Sequence, residues 1–191
     1  MLLGLIFLSG VILMKQNTTK MIVSIGVFSS IAFILQVIGS FMGLKVGGFL
    51  EIEISDLPPL ILSLAYGPFA GVLSELIKNL LHCTMTSTGF VGEFANFVMN
   101  GTLCFVAGLI YKYKKTFKGA ILALILGSLS MVFAGILSNL YIMLPLYMPD
   151  ANFNVKLDLV LYTILPFNII KGIAISFITL IVYKKISRLI K

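Results

Sequence analysis

LVLYTILPFNIIKGIAISFITLIVY (159–183) is an apolar run longer than the ~20 residues a helix needs to cross a bilayer, and it carries one ionisable group, Lys171, near its middle. Asn168 lies three residues earlier, on the same helical face. A charge at that depth is costly, so it normally faces a bundle interior or a wet cavity. The stretch therefore predicts a polar site inside a membrane bundle. An ammonium only donates hydrogen bonds and an amide both donates and accepts, which suits a ligand rich in acceptor atoms.

Composition extends that reading to the whole chain. Of 191 residues, 59% are hydrophobic and 11% are charged, and the mean hydropathy is +1.10. Soluble domains carry about a quarter charged residues. The expected fold class is an all-α integral membrane protein, a six-transmembrane-helix bundle. The net charge of +7 does not indicate a nucleic-acid partner, because the cations group at membrane edges rather than along one exposed face. Cys83 and Cys104 lie in apolar segments without metal-ligand spacing.

The apolar stretch MLLGLIFLSGVIL (1–13) is too short to span, lacks a basic start, and precedes a second candidate start at Met14. It reads as an N-terminal extension, a start-site artefact being one explanation, ahead of a single membrane domain at 14–191. Helices are expected at about 20–40, 56–66, 69–83, 91–111, 118–144 and 157–184. Gly67-Pro68 breaks the second from the third, and the alternation in FLEIEIS within 41–56 reads as an ordered loop or a short strand pair. Lys15 and Lys20, the group Lys112, Lys114, Lys115 and Lys118, and the group Lys184, Lys185, Arg188 and Lys191 have no acidic neighbours. Glu51, Glu53, Asp56, Asp150 and Asp158 crowd the other side against Lys45 and Lys156. Positive-inside counting then places both termini and the 112–118 loop in the cytoplasm.

Further polar residues fall inside the apolar segments. Glu75 and Lys78 are three apart and close enough to pair, and His82 continues their face. Glu93, Asn96 and Asn100 recur at helical spacing, and Asn139 lies in the fifth helix. Each has two readings at this stage. Glu75 with Lys78 is a structural ion pair or part of a site, and His82 is a satisfied histidine or a functional one. Asn96 and Asn100 serve as interhelical glue or as ligand contacts. Enzyme readings find little support: the chain has no HExxH, GxSxG, P-loop or CxxC, and a single histidine cannot supply a histidine-based metal site. No internal repeat of the kind found in self-contained transporters is evident.

Three stretches, EISDLPPLILSLAYGPFAGVLSELIKNLLH (53–82), GEFANFVMNG (92–101) and PFNIIKG (166–172), resemble the substrate-binding S components of energy-coupling-factor vitamin transporters, over about residues 20–187. The NxxK at Asn168 and Lys171 points to the riboflavin-specific members. The resemblance implies a riboflavin-binding subunit of an ATP-driven importer in the bacterial cell membrane, with no cofactor beyond the transported vitamin. It assigns the flavin ring to Asn139, Asn168 and Lys171, with Leu44, Val46 and Phe49 of the loop after helix one as a cap. Tyr141, Tyr147 and Phe167 are candidates for stacking on the ring. The implied partners are the lipid bilayer, a transmembrane coupling protein and two cytosolic ATPases, met through small residues of helix one: Gly26, Ser30 and Ala32 in SIGVFSSIAF. The alternatives are the same architecture for another vitamin, an intramembrane enzyme using Glu75, Lys78 and Glu93, and a structural subunit whose polar residues are helix glue.

Overall fold

A computed structural model describes residues 2–42, 45–46, 50–51, 54–85 and 89–186. Helix α1 is Leu2–Met42. It leads to an antiparallel ladder of two-residue strands, β1 (Lys45–Val46) and β2 (Leu50–Glu51), in which Lys45 faces Glu51 and Val46 faces Leu50. Of the two readings of 41–56, an ordered loop or a short strand pair, this is the second, with β2 inside FLEIEIS and β1 ahead of it. Helices α2 (Leu57–Tyr66), α3 (Pro68–His82) and α4 (Val91–Tyr113) follow. Helix α5 comprises Phe117–Ser138, a π-helical turn at Asn139–Met143 and a last turn at Leu144–Tyr147. Helix α6 comprises Phe153–Leu159, a π-helical turn at Val160–Ile164 and Leu165–Ile186.

Local chemistry explains the breaks. Gly67 adopts φ 102°, a left-handed conformation open to glycine, and Pro68 then starts α3 where its missing N–H is not needed. Thr116 caps α5 by accepting a hydrogen bond from the Gly119 amide at 3.0 Å. Both π-helical turns end just before a proline, Pro145 in α5 and Pro166 in α6. A proline inside a helix removes one ladder bond and crowds the preceding turn, and the wider π turn relieves that crowding.

Among the described residues, four stretches are long and apolar enough to cross a membrane: Thr18–Met42, Val91–Tyr113, Phe117–Tyr147 and Phe153–Tyr183. Helices α2 and α3, at 10 and 15 residues, are shorter than the ~20 residues of a full span. They form a hairpin that packs along α4. Ser63 in α2 donates to the Cys104 carbonyl in α4, and Lys78 and His82 in α3 meet Asn96 and Glu93 of α4 at 3.1 and 3.0 Å. Large apolar side chains such as Ile22, Val23, Phe133, Tyr162, Ile170 and Phe177 point outward from the long helices. An outer surface this apolar matches lipid as its solvent.

The interior is tight where glycines meet small residues. A Cβ on Gly108 would lie 2.8 Å from Pro68 Cα and collide with Ser63 Oγ, while one on Gly71 would lie 2.8 Å from the Pro59 carbonyl oxygen. Gly127 places α5 against Leu103 and Ala107 of α4 in the same way. Gly108→Val is therefore expected to destabilise the bundle by about 1–3 kcal/mol through overpacking against backbone that cannot yield. Thermal unfolding in detergent checks this, and an unchanged midpoint would mean that the α2–α3 hairpin does not rest on α4.

Candidate functional site

Four charged side chains from three helices meet in the interior. Asp56, at the start of α2, is fully buried, as are Glu75 and Lys78 of α3. The Lys78 ammonium donates to Asp56 Oδ1 and lies 2.8 Å from Glu75 Oε2; it also donates to Asn96 Oδ1 at 3.1 Å and to Ser55 Oγ at 3.4 Å. Lys171 of α6 places its ammonium 2.7 Å from the other Asp56 oxygen, Oδ2. Among the described residues two carboxylates thus face two ammoniums, and these four charges balance when all are ionised. Neutrality matters here, because an unbalanced buried charge costs several kcal/mol.

Amides and a histidine extend the network. Asn79 donates to Glu75 Oε2 at 3.3 Å, and Asn100 donates to Asn96 Oδ1 at 3.1 Å. His82 Nδ1 and Glu93 Oε1 are 3.0 Å apart, and the other ring nitrogen of His82 is 3.4 Å from Ser40 Oγ of α1. The Glu75–Lys78 pair is present as the three-residue spacing predicts, and Asn96 and Asn100 bond to protein groups across and along the helices.

Asn168 and Asn139 occupy facing turns of α6 and α5. Asn139 is buried and its amide donates to the Gly135 carbonyl at 2.8 Å. Gly135 in turn lies against Asn168, where a Cβ would sit 2.7 Å from Nδ2. The Asn168 amide nitrogen points at the thioether of Met99 at 3.7 Å, a weak acceptor, and its carbonyl oxygen has no protein partner. The carbonyl oxygen of Asn100 is likewise buried without a partner. Lys171 is one turn beyond Asn168 and leans toward α2.

Other expected positions separate. Leu44 and Phe49 lie outside the described residues, and of Val46 only the β1 backbone is described. Tyr141 is 66% exposed, while Phe167 packs beside Leu140, Leu144, Val160 and Ile164. Gly26 and Ser30 are exposed on one face of α1, with open space beyond Gly26. Ala32 is fully buried on the inner face and does not join them, because its 2-residue offset from Ser30 turns it ~200° around the helix.

Asp56 opens α2, as its position before two prolines suggests, but the sequence reading misses its role: it makes no capping bond, is buried, and pairs with two lysines. A charge count does not single it out, since Glu75 and Glu93 already match Lys78 and Lys171 within the apolar segments; the pairing shows only once α2, α3 and α6 are brought together.

Residues 20–183 match the family described as ECF transporter, substrate-specific component. The chain is 34% identical to the riboflavin transporter RibU of Staphylococcus aureus, over 93% of this chain and 95% of that one. It is 32% identical to the riboflavin transporter FmnP of Bacillus subtilis, over 87% and 92% of the two chains. Among solved structures it superposes with a TM-score of 0.78, at 33% identity, on the S component reported under "Structure and mechanism of the S component of a bacterial ECF transporter", covering 91% of this chain and 99% of that one. ThiT from Listeria monocytogenes shares the fold at a TM-score of 0.62 and 16% identity, covering 91% and 98% of the two chains. With the helical membrane fold and the buried polar interior, a family match spanning nearly every described helix makes this chain a substrate-specific S component of an ECF transporter.

Proposed function

We propose that this S component captures riboflavin from outside the cell, for delivery to the cytoplasm by an ATP-driven coupling module. The observation that carries the reading is the similarity, across nearly the whole chain, to two relatives that are both called riboflavin transporters. Membership in a transporter family removes the intramembrane-enzyme alternative, and Glu75, Lys78 and Glu93 act instead in buried ion pairs and hydrogen bonds. The protein is a multi-pass component of the bacterial cell membrane.

The chemistry of the interior supports a flavin at Asn139, Asn168 and Lys171. A flavin pairs a flat apolar surface with a pyrimidine edge of carbonyl and ring-nitrogen groups. Asn168 offers that edge an amide whose nitrogen has only a thioether for company and whose oxygen is unpartnered. Lys171 adds a donor one turn away. Gly135 leaves room for Asn168, since any side chain there would meet its amide at 2.7 Å. Gly135→Ala is expected to change the unfolding midpoint little, because both atoms in the way, Asn168 Nδ2 and Met99 Sδ, are ends of side chains. The same substitution should weaken riboflavin binding about tenfold by turning Asn168 aside. Equal affinity in the variant would separate Asn168 from the ligand.

Six crossings with both termini in the cytoplasm fit the arrangement of α2 and α3. Ser63 and Pro68, at the turn of their hairpin, reach Gly108 near the end of α4, while His82 at the other end of α3 meets Glu93 at the start of α4. The hairpin therefore runs nearly the depth of α4 even though each arm is short. The basic groups at 112–118 and at the C-terminus then share the cytoplasmic side. The exposed Gly26–Ser30 face of α1 suits close approach by a transmembrane coupling protein, which two cytosolic ATPases would drive.

The direct test is the absorption spectrum of protein purified in detergent from riboflavin-replete cells. The reading predicts a yellow protein with flavin bands that dialysis removes slowly. A colourless protein that stays colourless after incubation with riboflavin and gel filtration would overturn it.

A further inference from the structure

Asp56 stands between two lysines that belong to different helices. Its Oδ1 takes Lys78 of α3 and its Oδ2 lies 2.7 Å from Lys171 of α6. Lys78 is itself held from three further sides by Glu75, Asn96 and Ser55. The carboxylate is therefore braced by the α3 side of the bundle before it meets Lys171. A lysine side chain has four flexible bonds and about 2 kcal/mol of rotamer entropy, so a lysine that is to meet a ligand edge needs something to fix its aim. Asn168, one turn earlier, is fixed by packing against Gly135 and Met99. For Lys171, Asp56 is such a fixed partner.

We propose that Asp56 is a positioning residue of the ligand site: it orients the Lys171 ammonium toward the ligand and supplies its counter-charge, without touching the ligand itself. The inference rests on the riboflavin reading above. An ammonium has three donors, and the ion pair with Asp56 engages it from one side. Among the described residues Asp56 and Glu75 balance Lys78 and Lys171, so a ligand with no net charge can sit against Lys171 without upsetting that balance. Asp56 also joins α2 to α6, so the position of Lys171 is tied to the α2–α3 hairpin and not to α6 alone.

A residue that only stabilises the bundle and one that acts through Lys171 differ in a double-mutant cycle. Riboflavin is titrated by fluorescence quenching into detergent-solubilised wild type, Lys171→Met, Asp56→Asn and the Asp56→Asn/Lys171→Met double variant, with the unfolding midpoint of each recorded. The proposal predicts a loss of about tenfold or more for Asp56→Asn alone, a similar loss for Lys171→Met, and less than about twofold further loss when Asp56→Asn is added to Lys171→Met. Losses that multiply in the double variant would overturn it, as would wild-type affinity in Asp56→Asn. Should Asp56→Asn fail to fold, Asp56→Asn/Lys78→Met keeps the interior neutral with Glu75 and Lys171, and the same tenfold loss is expected. Wild-type affinity there would overturn the proposal. Wild-type protein that binds riboflavin while Lys171→Met binds equally well would also overturn it but leave the vitamin assignment intact. Wild-type protein that ignores riboflavin would remove the functional reading and this inference together.

Discussion

Lys78→Met, introduced alone, is expected to lower the stability of the bundle by about 3–5 kcal/mol. Lys78 is fully buried and neutralises a carboxylate on each of two helices, Asp56 at the start of α2 and Glu75 on α3. Removing the ammonium leaves those two carboxylates with Lys171 as the remaining cation of the cluster among the described residues, one negative charge in excess that neither water nor lipid can screen. The loss comes from the orphaned charge and not from the missing methylene packing, since methionine fills a similar volume. Lys78→Met combined with Glu75→Gln removes one charge of each sign, preserves the Asp56–Lys171 pair, and is expected to recover most of the loss. Thermal unfolding in detergent, followed through tyrosine fluorescence because the chain has no tryptophan, measures both. A single variant as stable as wild type, or a double variant no better than the single, would contradict the buried four-charge cluster.

Asn168→Ala and Lys171→Ala are each expected to weaken riboflavin binding by about 1–3 kcal/mol, roughly 5–150-fold, through loss of a buried hydrogen-bonding partner. Asn168→Ala is the cleaner of the two. It removes an amide whose oxygen has no protein partner and whose nitrogen faces a thioether at 3.7 Å, so little internal bonding disappears with it. Lys171→Ala also strips a counter-charge from Asp56, so part of its effect will appear as lower stability of the ligand-free protein. Binding titrations alongside unfolding midpoints separate the two contributions. Unchanged affinity in both variants would move the ligand away from α6.

The long helices were legible in the sequence because lipid imposes a simple rule: apolar runs near 159–183, 118–144 and 91–111 each became one helix within a few residues of the expected ends, while 20–40 became the second half of a longer helix, Leu2–Met42, whose start the hydropathy reading placed too late. Gly67-Pro68 marked its break for an equally local reason, a left-handed glycine ahead of a proline. The π-helical turns at Asn139–Met143 and Val160–Ile164 were not legible, since hydropathy is insensitive to whether a helix bonds back four residues or five. Asn168 and Lys171 were identifiable as interior residues from their depth in an apolar run. The partner of Lys171 was not, because Asp56 lies more than a hundred positions away in a segment that by itself reads as an outward loop and helix start. Likewise Ala32 shares a stretch with Gly26 and Ser30 but not a face, a distinction that depends on which side of α1 the bundle occupies.

The central claim, that this S component binds riboflavin, is tested most directly by titrating ligand-free wild-type protein with riboflavin and, in parallel, with thiamine, while following flavin quenching or tyrosine fluorescence. The account predicts saturable one-to-one binding of riboflavin and no saturable response to thiamine. Saturable binding of thiamine with indifference to riboflavin, or no response to either, would contradict it.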